Sequence, residues 1–498
     1  MNILDIIDNI KVKTIYGNLP ESVNNISQDS RKVGEGDVFV AIKGYTVDGH
    51  NYIEKVIEQG AALVIASRYE NYNVENCAVI VIKEHEIEKI ASMIAKKINE
   101  GSDVHTVAVT GTNGKTSIST LVHNMLRTLG ESSAYIGTNG FGKNDEEPVY
   151  FGNTTPDVVT LHNQIGELRR DNIKNLAFEA SSHAMALGRI YNVDIDVAIF
   201  TNLTHEHLDF HGDMQTYAYD KSLLFSTLGN NLSEAKYGVL NKDDSYYKVI
   251  SKCLYQQEIN YSIVDKTADF YAYNIKQYKE DKVYKTSFTL NSPEGTFECT
   301  TNYIGDFMVS NVLAALIAVW VKGYSVEQLV AILPKLGALY GRMEILGDDL
   351  PIDIISDFAH TPDGYEKLLE ATREMRKEKR TLLVTGMGGG RDISKGPLIG
   401  EIISEADYVI ITTDSPRDED VEVLMGAIEK GMTHKNYEKV WFRTDAVKRV
   451  IELAEPGDVV ILASKGREDY EILKGGKKVW HSDPIIAVDE AKKKFGIE

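Results

Sequence analysis

Residues 105–117 read HTVAVTGTNGKTS, and no other stretch limits the fold as tightly. An apolar strand runs into a glycine turn and the turn opens a helix. Ile118, Leu121, Val122, Met125, Leu126 and Leu129 recur at i, i+3, i+4, i+7, i+8 and i+11, which predicts one buried helical face ending at Gly130. Free N–H groups at such a helix start favour phosphate. Gly111 and Gly114 let the backbone approach a ligand closely, Lys115 brings a charge, and Thr116 brings a hydroxyl suited to Mg²⁺. The spelling departs from G-x-x-x-x-G-K-[ST], because Val109 stands where the first glycine belongs. The loop predicts phosphate handling without specifying the reaction.

A strand–turn–helix pattern continues on both sides. Residues 1–103 mix short apolar runs (GDVFVAI, AALVIA, AVIVI) with a helical stretch at EHEIEKIASMIAKKINEGSD, as in a small α/β unit. Residues 104–344 predict a mainly parallel sheet through NLAFEA, DVAIFTNL and YGVLN. Residues 345–498 predict a third series with strands at IDIISDF, RTLLVTG, DYVIITT, KVWF and DVVILAS. Three units suit a chain of 498 residues. A net charge of −20 disfavours broad nucleic-acid or anionic-membrane surfaces, so an anionic ligand must meet a local positive cluster. The longest apolar run, VLAALIAVWV at 312–321, is too short to span a bilayer and predicts a buried helix. Three scattered cysteines (Cys77, Cys253, Cys299) fit no disulfide framework and suit a cytoplasmic protein.

Several stretches carry chemistry with alternatives open. TNLTHEHLDFH at 201–211 clusters three histidines and two acids, but the H-E-x-x-H spacing of a zinc peptidase is not met. Glu179 ends a predicted strand, where ligands gather in an open α/β sheet, and reads equally as a Mg²⁺ ligand or a helix-capping acid. TLLVTGMGGGRD at 381–392 meets dinucleotide spacing only loosely, and Arg391 reads better as a fork for a carboxylate. Taken alone, Lys221 reads as a surface lysine.

Together these stretches resemble the Mur ligases, and within them the UDP-N-acetylmuramyl-tripeptide synthetases. DSR at 29–31 and GYTVDGH at 44–50 are similar to the uridine-nucleotide domain, and the shorter phosphate loop accounts for Val109. NTTPD at 153–157, EASSH at 179–183, NLTHEHLDFHG at 202–212 and DKSLLF at 220–225 follow in family order. So do SNVLAA at 310–315, GRME at 341–344, DFAHTPD at 357–363, GGGRD at 388–392, DSPR at 414–417 and SKGRE at 464–468. Phe358 departs from the usual tyrosine.

The resemblance implies a three-domain α/β architecture: a UDP-substrate unit, a central phosphate-loop sheet that binds ATP, and a Rossmann-like C-terminal unit for the amino acid. It implies ATP-dependent addition of a diamino acid to UDP-N-acetylmuramoyl-L-alanyl-D-glutamate through an acyl phosphate, with no nucleic-acid partner or membrane insertion. It assigns ATP to Gly111, Thr112, Asn113, Gly114, Lys115, Thr116, Ser117, Asn311, Arg342, Asp357 and His360. It assigns the UDP substrate to Ser30, Thr154, Thr155, Ser181 and Arg189. Mg²⁺ falls to Thr116, Glu179, His207 and Lys221, the last as N-carboxylysine, and Lys115, Glu179, His207 and Lys221 form the catalytic set. Arg391, Asp414, Ser415, Pro416, Arg417 and Glu468 would take the amino acid. Arg417 favours meso-diaminopimelate, whose distal carboxylate a guanidinium can grip, over the alternative, L-lysine. Ser415 in place of asparagine, and overall resemblance to lysine-adding members, weigh the other way. A ligase for another carboxylate, such as a folate, is the more distant alternative.

Overall fold

The computed structural model describes residues 4–44, 47–281, 283–390 and 392–497, arranged around three sheets and a separate hairpin. Arg391 and two residues of the GYTVDGH stretch lie outside the described residues.

The first sheet has the order Thr14–Tyr16, Ala78–Val81, Leu63–Ala66, Val38–Val40, Ile26–Ser27, parallel except for its first pair. Its strands are near-continuous apolar runs because both faces are covered. Val38, Leu63, Ile65 and Ile80 pack beneath the helix Ile87–Ile98, while Phe39, Val64 and Val79 meet Ile53 and Val56 of the helix Ile53–Glu58.

The second sheet has ten strands. Its parallel part runs Ser133–Gly137, Asn175–Glu179, His105–Thr110, Val197–Phe200, Tyr237–Asn241, Gln257–Ser262, Phe270–Glu280. The phosphate-loop strand is therefore central and buried on both faces. The helices Lys115–Thr128 and Asp306–Trp320 cover one face, and Val158–Arg170 and Met214–Ser226 cover the other. The apolar run at 312–321 lies mainly in the helix Asp306–Trp320, which is buried almost all round against the helix Lys115–Thr128.

The sheet is less purely parallel than the sequence predicts. Gly140–Lys143 pairs antiparallel at one edge, and Phe270–Glu280, Val283–Ser292 and Gly295–Thr301 form an antiparallel meander at the other. The meander's outer parts alternate exposed and covered residues, so they lack the long apolar runs of the parallel strands.

The third sheet has the order Glu344–Leu346, Asp353–Ser356, Val459–Leu462, Thr381–Met387, Tyr408–Thr413, Tyr437–Lys439, parallel except for its first pair. The strand Glu344–Leu346 crosses the 344/345 limit drawn from the sequence and pairs with this third sheet. The run KVWF is a strand only to Lys439; Trp441 and Phe442 lie beyond it and are exposed. The hairpin Tyr470–Leu473 with Lys477–Trp480 belongs to none of the three sheets. Among the described residues, no helix is long and apolar enough to cross a membrane.

Candidate active site

The chemistry-bearing loops leave the carboxyl ends of parallel strands: Thr110, Glu179 and Phe200 in the second sheet, Met387, Thr413 and Leu462 in the third. Open α/β sheets gather ligands there because the loops and helix starts converge at that edge. The two edges face one another across a cavity of about 630 Å³, and a second of about 510 Å³ adjoins it.

The phosphate loop is shaped by two close approaches. A Cβ on Gly111 (φ +152°) would lie 1.8 Å from the Thr201 hydroxyl, and one on Gly114 (φ +89°) 2.8 Å from Asn311 Oδ1. Only glycine fits at either position. Asn202 locks the turn by accepting the Asn113 N–H at 2.9 Å and donating to the Asn113 carbonyl at 3.1 Å. The helix starts at Lys115, whose ammonium donates to the carbonyls of Gly111 (3.0 Å) and Thr112 (2.8 Å). Burial pushes the Lys115 pKa down, opposed by the Glu179 charge. From across the cavity, Arg342 Nη2 donates to the Thr116 hydroxyl at 3.0 Å.

Glu179 is fully buried. One carboxylate oxygen accepts the Tyr135 hydroxyl (2.6 Å) and the Thr138 N–H (2.8 Å), and the other accepts the Thr138 hydroxyl (3.1 Å). It caps no helix; Ser181 caps the next one by accepting the Ala184 N–H. His207 has a left-handed backbone (φ +56°) at the start of the short helix Leu208–His211, with its ring edge-on to His183. Burial, ahead of the neighbouring positive charges, lowers the His183 pKa to about 4.

Lys221 corrects the surface reading of its sequence. Its side chain is buried, its amine donates to the Gly111 carbonyl at 2.7 Å, and Nζ lies 4.6 Å from the Tyr217 ring centre. Burial, reinforced by the Lys115 charge, holds its pKa well below the ordinary lysine value. Lys115 and Lys221 thus both donate to the Gly111 carbonyl.

Thr154, Ser181 and Arg189 line the larger cavity. Thr155 stands behind them, donating to the Glu179 carbonyl (2.7 Å) and Ser181 Oγ (3.2 Å), so it supports this wall from a fully buried position. Ser30, in the first unit, lines neither cavity.

Asn311, Arg342, Asp357 and His360 meet in the second cavity beside Asn113, Gly114 and Ser117. Asp357 accepts the N–H groups of Met343 and Ala359, both at 2.7 Å, and burial raises its pKa. Those bonds hold Met343 in a left-handed conformation (φ +48°) where the chain passes from the second unit into the third. Glu344 fixes the same turn through the Gly341 N–H (2.8 Å) and an ion pair with Arg467. The Arg342 guanidinium lies 4.7 Å from the Phe358 ring centre, a stacking that needs a ring and no hydroxyl. The tyrosine-to-phenylalanine departure therefore leaves this contact intact.

On the third sheet, buried Lys465 joins Asp414 (3.0 Å) and Glu468 (3.3 Å). Ser415 Oγ accepts the Ile472 N–H at 3.2 Å, so this hydroxyl ties its loop to the hairpin Tyr470–Trp480. Pro416 is buried, and its carbonyl stands 2.0 Å from where a Cβ on Gly389 would fall. Arg417 is left-handed (φ +53°), and Nη1 donates to the Gly389 carbonyl at 2.8 Å. One arm of the fork expected to grip a distal carboxylate is thus engaged by the protein.

Sequence reasoning did not single out Asn202, Glu206 or Lys465, though each stands inside a quoted motif. It also passed over Tyr135 and Thr138, which hold Glu179 and carry no local signal. Glu206 faces the larger cavity 3.6 Å from Lys395, with its second carboxylate oxygen buried and unpartnered. Among the described residues, no three His, Cys, Asp or Glu side chains form a ready metal cage. The donors at the cavity wall, Thr116 hydroxyl, Glu179 carboxylate and His207 imidazole, suit a hard cation sharing its shell with phosphate oxygens and water.

Three family models match the chain: Mur ligase family, catalytic domain, over residues 22–101; Mur ligase middle domain over 109–319; and Mur ligase, glutamate ligase domain, over 341–466. The chain is 43% identical over 498 residues to UDP-N-acetylmuramoyl-L-alanyl-D-glutamate–L-lysine ligase of Staphylococcus haemolyticus, covering 100% of this chain and 99% of that one. A solved UDP-N-acetylmuramoyl-L-alanyl-D-glutamate–2,6-diaminopimelate ligase superposes with a TM-score of 0.68 at 28% identity, covering 99% of both chains. A folylpolyglutamate synthase of Mycobacterium tuberculosis, complexed with ADP and AMPPCP, has a TM-score of 0.62 at 14% identity. That likeness covers 82% of this chain and 95% of the other, and it concerns the fold.

Proposed function

The chain belongs to the Mur ligase family of ATP-dependent amide ligases of peptidoglycan synthesis, and on that premise we propose that it adds L-lysine to UDP-N-acetylmuramoyl-L-alanyl-D-glutamate. The observation that carries this reading is the single 630 Å³ cavity. The phosphate loop, the Thr154–Ser181–Arg189 wall and the Asp414–Arg417–Glu468 wall all open onto it. A reaction that joins a phosphorylated carboxylate to an amine needs those three neighbours together.

In this reading residues 1–103 hold the UDP end, residues 104–344 hold ATP and residues 345–498 hold the amino acid. ATP lies with its phosphates at the start of the helix Lys115–Thr128, and Asn311, Arg342, Asp357 and His360 frame the rest of the nucleotide. The γ-phosphoryl group passes to the side-chain carboxylate of D-glutamate, which is a poor acyl donor until phosphorylated. The amine then adds to the acyl phosphate, and the tetrahedral intermediate expels phosphate. Lys115 and Arg342 stabilise the charge on the transferring group. Magnesium ions held by Thr116, Glu179 and His207 would neutralise phosphate charge.

N-carboxylation of Lys221 is part of the proposal. Burial makes the Lys221 amine lose its proton more readily, and once neutral it can add to CO₂, releasing one proton as the carbamate forms. A cytoplasmic location also belongs to this reading, supported by free Cys77, Cys253 and Cys299.

The expectation of meso-diaminopimelate gives way to its alternative. The relative named for L-lysine is 43% identical over the whole chain, while the diaminopimelate ligase structure is 28% identical. The engaged arm of Arg417 supports the same choice. The deciding measurement is kcat/KM for the two amino acids in the presence of ATP, Mg²⁺ and the UDP-muramyl dipeptide. A preference for diaminopimelate, with a loss of about 2–5 kcal/mol for that substrate alone in Arg417→Ala, would restore the guanidinium as selector. No acceptor-dependent release of phosphate with either amino acid would sink the ligase reading itself.

A further inference from the structure

The hairpin Tyr470–Trp480 has no part in the chemistry described above, yet it stands at the cavity mouth. Tyr470 and Ile472 alternate onto one face, and Lys478 pairs across the hairpin with Ile472, so all three side chains share that face. All three line the 630 Å³ cavity. The hairpin is tied by hydrogen bonds to the Asp-Ser-Pro-Arg loop. The Arg417 N–H donates to the Ile472 carbonyl (2.9 Å), the Ile472 N–H to Ser415 Oγ (3.2 Å), and the Gly475 N–H to Asp418 Oδ1 (2.9 Å). Its free face reaches across to the second unit. Lys478 Nζ lies 4.0 Å from the Tyr470 ring centre and 5.3 Å from that of Tyr150, and the two rings are 5.9 Å apart. Tyr150 precedes Gly152, Asn153 and Thr154, the stretch that lines the UDP-substrate wall.

We propose that Lys478 is a positioning residue: lying over both the Tyr470 and Tyr150 rings, its ammonium reinforces their contact, fastens the UDP-substrate loop to the amino-acid loop and so sets the distance between the two reacting partners. The inference rests on the proposed ligase reading for the identity of those partners. A two-stranded hairpin outside the main sheets has little stability of its own, so its place depends on what it ties together. The 414–418 loop holds one side through backbone bonds. On the other side, the Tyr470 and Tyr150 side chains meet directly, and the Lys478 ammonium lies over both rings. In the proposed reading the phosphates of ATP reach the larger cavity, while Asn311, Asp357 and His360 frame the rest of the nucleotide in the adjoining one, whose lining includes neither Tyr150 nor Lys478.

The test is steady-state kinetics on Lys478→Met, Lys478→Arg, Tyr150→Leu and the Lys478→Met/Tyr150→Leu pair. Lys478→Met keeps most of the unbranched stem and removes the charge, so KM for the UDP-dipeptide and for L-lysine should each rise about 2- to 5-fold, the range of an exposed cation–π contact. KM for ATP should stay at its wild-type value. Lys478→Arg should restore both KM values, and the double variant should lose no more than the worse single one. Hydrogen exchange over residues 148–155, followed in the ligand-free protein, should quicken in Lys478→Met. That readout distinguishes failure of the clasp from failure of the ligase reading. Unchanged exchange and unchanged KM for both partners, an equal rise in KM for ATP, or no recovery in Lys478→Arg would each overturn the proposal.

Discussion

The amino-acid wall of the cavity is braced from behind by a fully buried ion pair, and removing one partner gives a sharp quantitative test. Arg443 and Asp483 have no exposed side-chain surface. Arg443 Nε donates to both Asp483 oxygens (2.9 and 3.1 Å), Nη2 donates to Asp483 and to the Ala463 carbonyl (2.6 Å), and Nη1 to Ser464 Oγ (3.0 Å). His481 approaches Asp483 at 2.6 Å. Asp483→Ala would leave the guanidinium buried with only neutral oxygen partners, a loss of about 3–5 kcal/mol. For a unit of this size, about 2–4 °C of Tm per kcal/mol gives a fall of about 6–20 °C. Far-UV circular dichroism and calorimetry, in urea or on heating, read the unfolding.

The pH dependence has a definite sign. Although burial alone would raise it, the Arg443 charge and the His481 and Arg443 hydrogen bonds hold the Asp483 pKa well below the usual carboxylate range. A depressed folded pKa means the stabilisation is complete above the unfolded value of about 3.9 and is lost as pH falls through the folded value. The wild-type contribution should persist from pH 7 to about pH 4 and decline below that, while Asp483→Ala has none to lose. Because Arg443 also binds the strand end leading to Lys465, KM for the amino acid should rise in the variant more than KM for ATP. A destabilisation below about 1 kcal/mol would refute the reasoning. Arg443→Met/Asp483→Leu should recover much of the loss, since an apolar pair of similar volume is often neutral.

Lys115→Ala should lower kcat by about 10²-fold or more, as loss of a main charge stabiliser does, and near-normal turnover would remove the loop lysine from the mechanism. Enzyme depleted of CO₂ should regain activity on adding bicarbonate, and Lys221→Ala should be partly rescued by short carboxylic acids; absence of a carbamate ¹³C NMR signal in fully active enzyme equilibrated with ¹³C-bicarbonate would exclude the carbamate. Phe358→Leu removes the ring beneath Arg342 and should raise KM for ATP several-fold, while Phe358→Tyr keeps the stack and should leave it unchanged. Equal KM values in the two variants would show that the ring has no role in placing Arg342.

What could be read from the sequence was local. The strand, turn and helix of residues 105–129 follow from apolar periodicity and from two glycines whose neighbours leave no space for a Cβ. The third sheet's parallel strands were legible because strands buried on both faces are written as apolar runs, whereas the meander of 270–301 was not. The motif residues at strand ends were legible for the same reason, since such ends converge wherever the strands are parallel.

What only the tertiary structure decided is which groups lose water and which partners they meet instead. Lys221 lies on a helix whose buried residues include Asp220, Ser222 and Leu224, so no apolar stripe marks it as an inside position. Its burial comes from packing against the phosphate loop 110 residues away. Glu179 is held by Tyr135 and Thr138, more than 40 residues earlier in the chain. The guanidinium of Arg417, which the sequence offers freely to a substrate, has one arm bound to the Gly389 carbonyl. Desolvation and hydrogen-bond partnership depend on what stands within a few ångströms, and sequence spacing carries that distance only inside a single element.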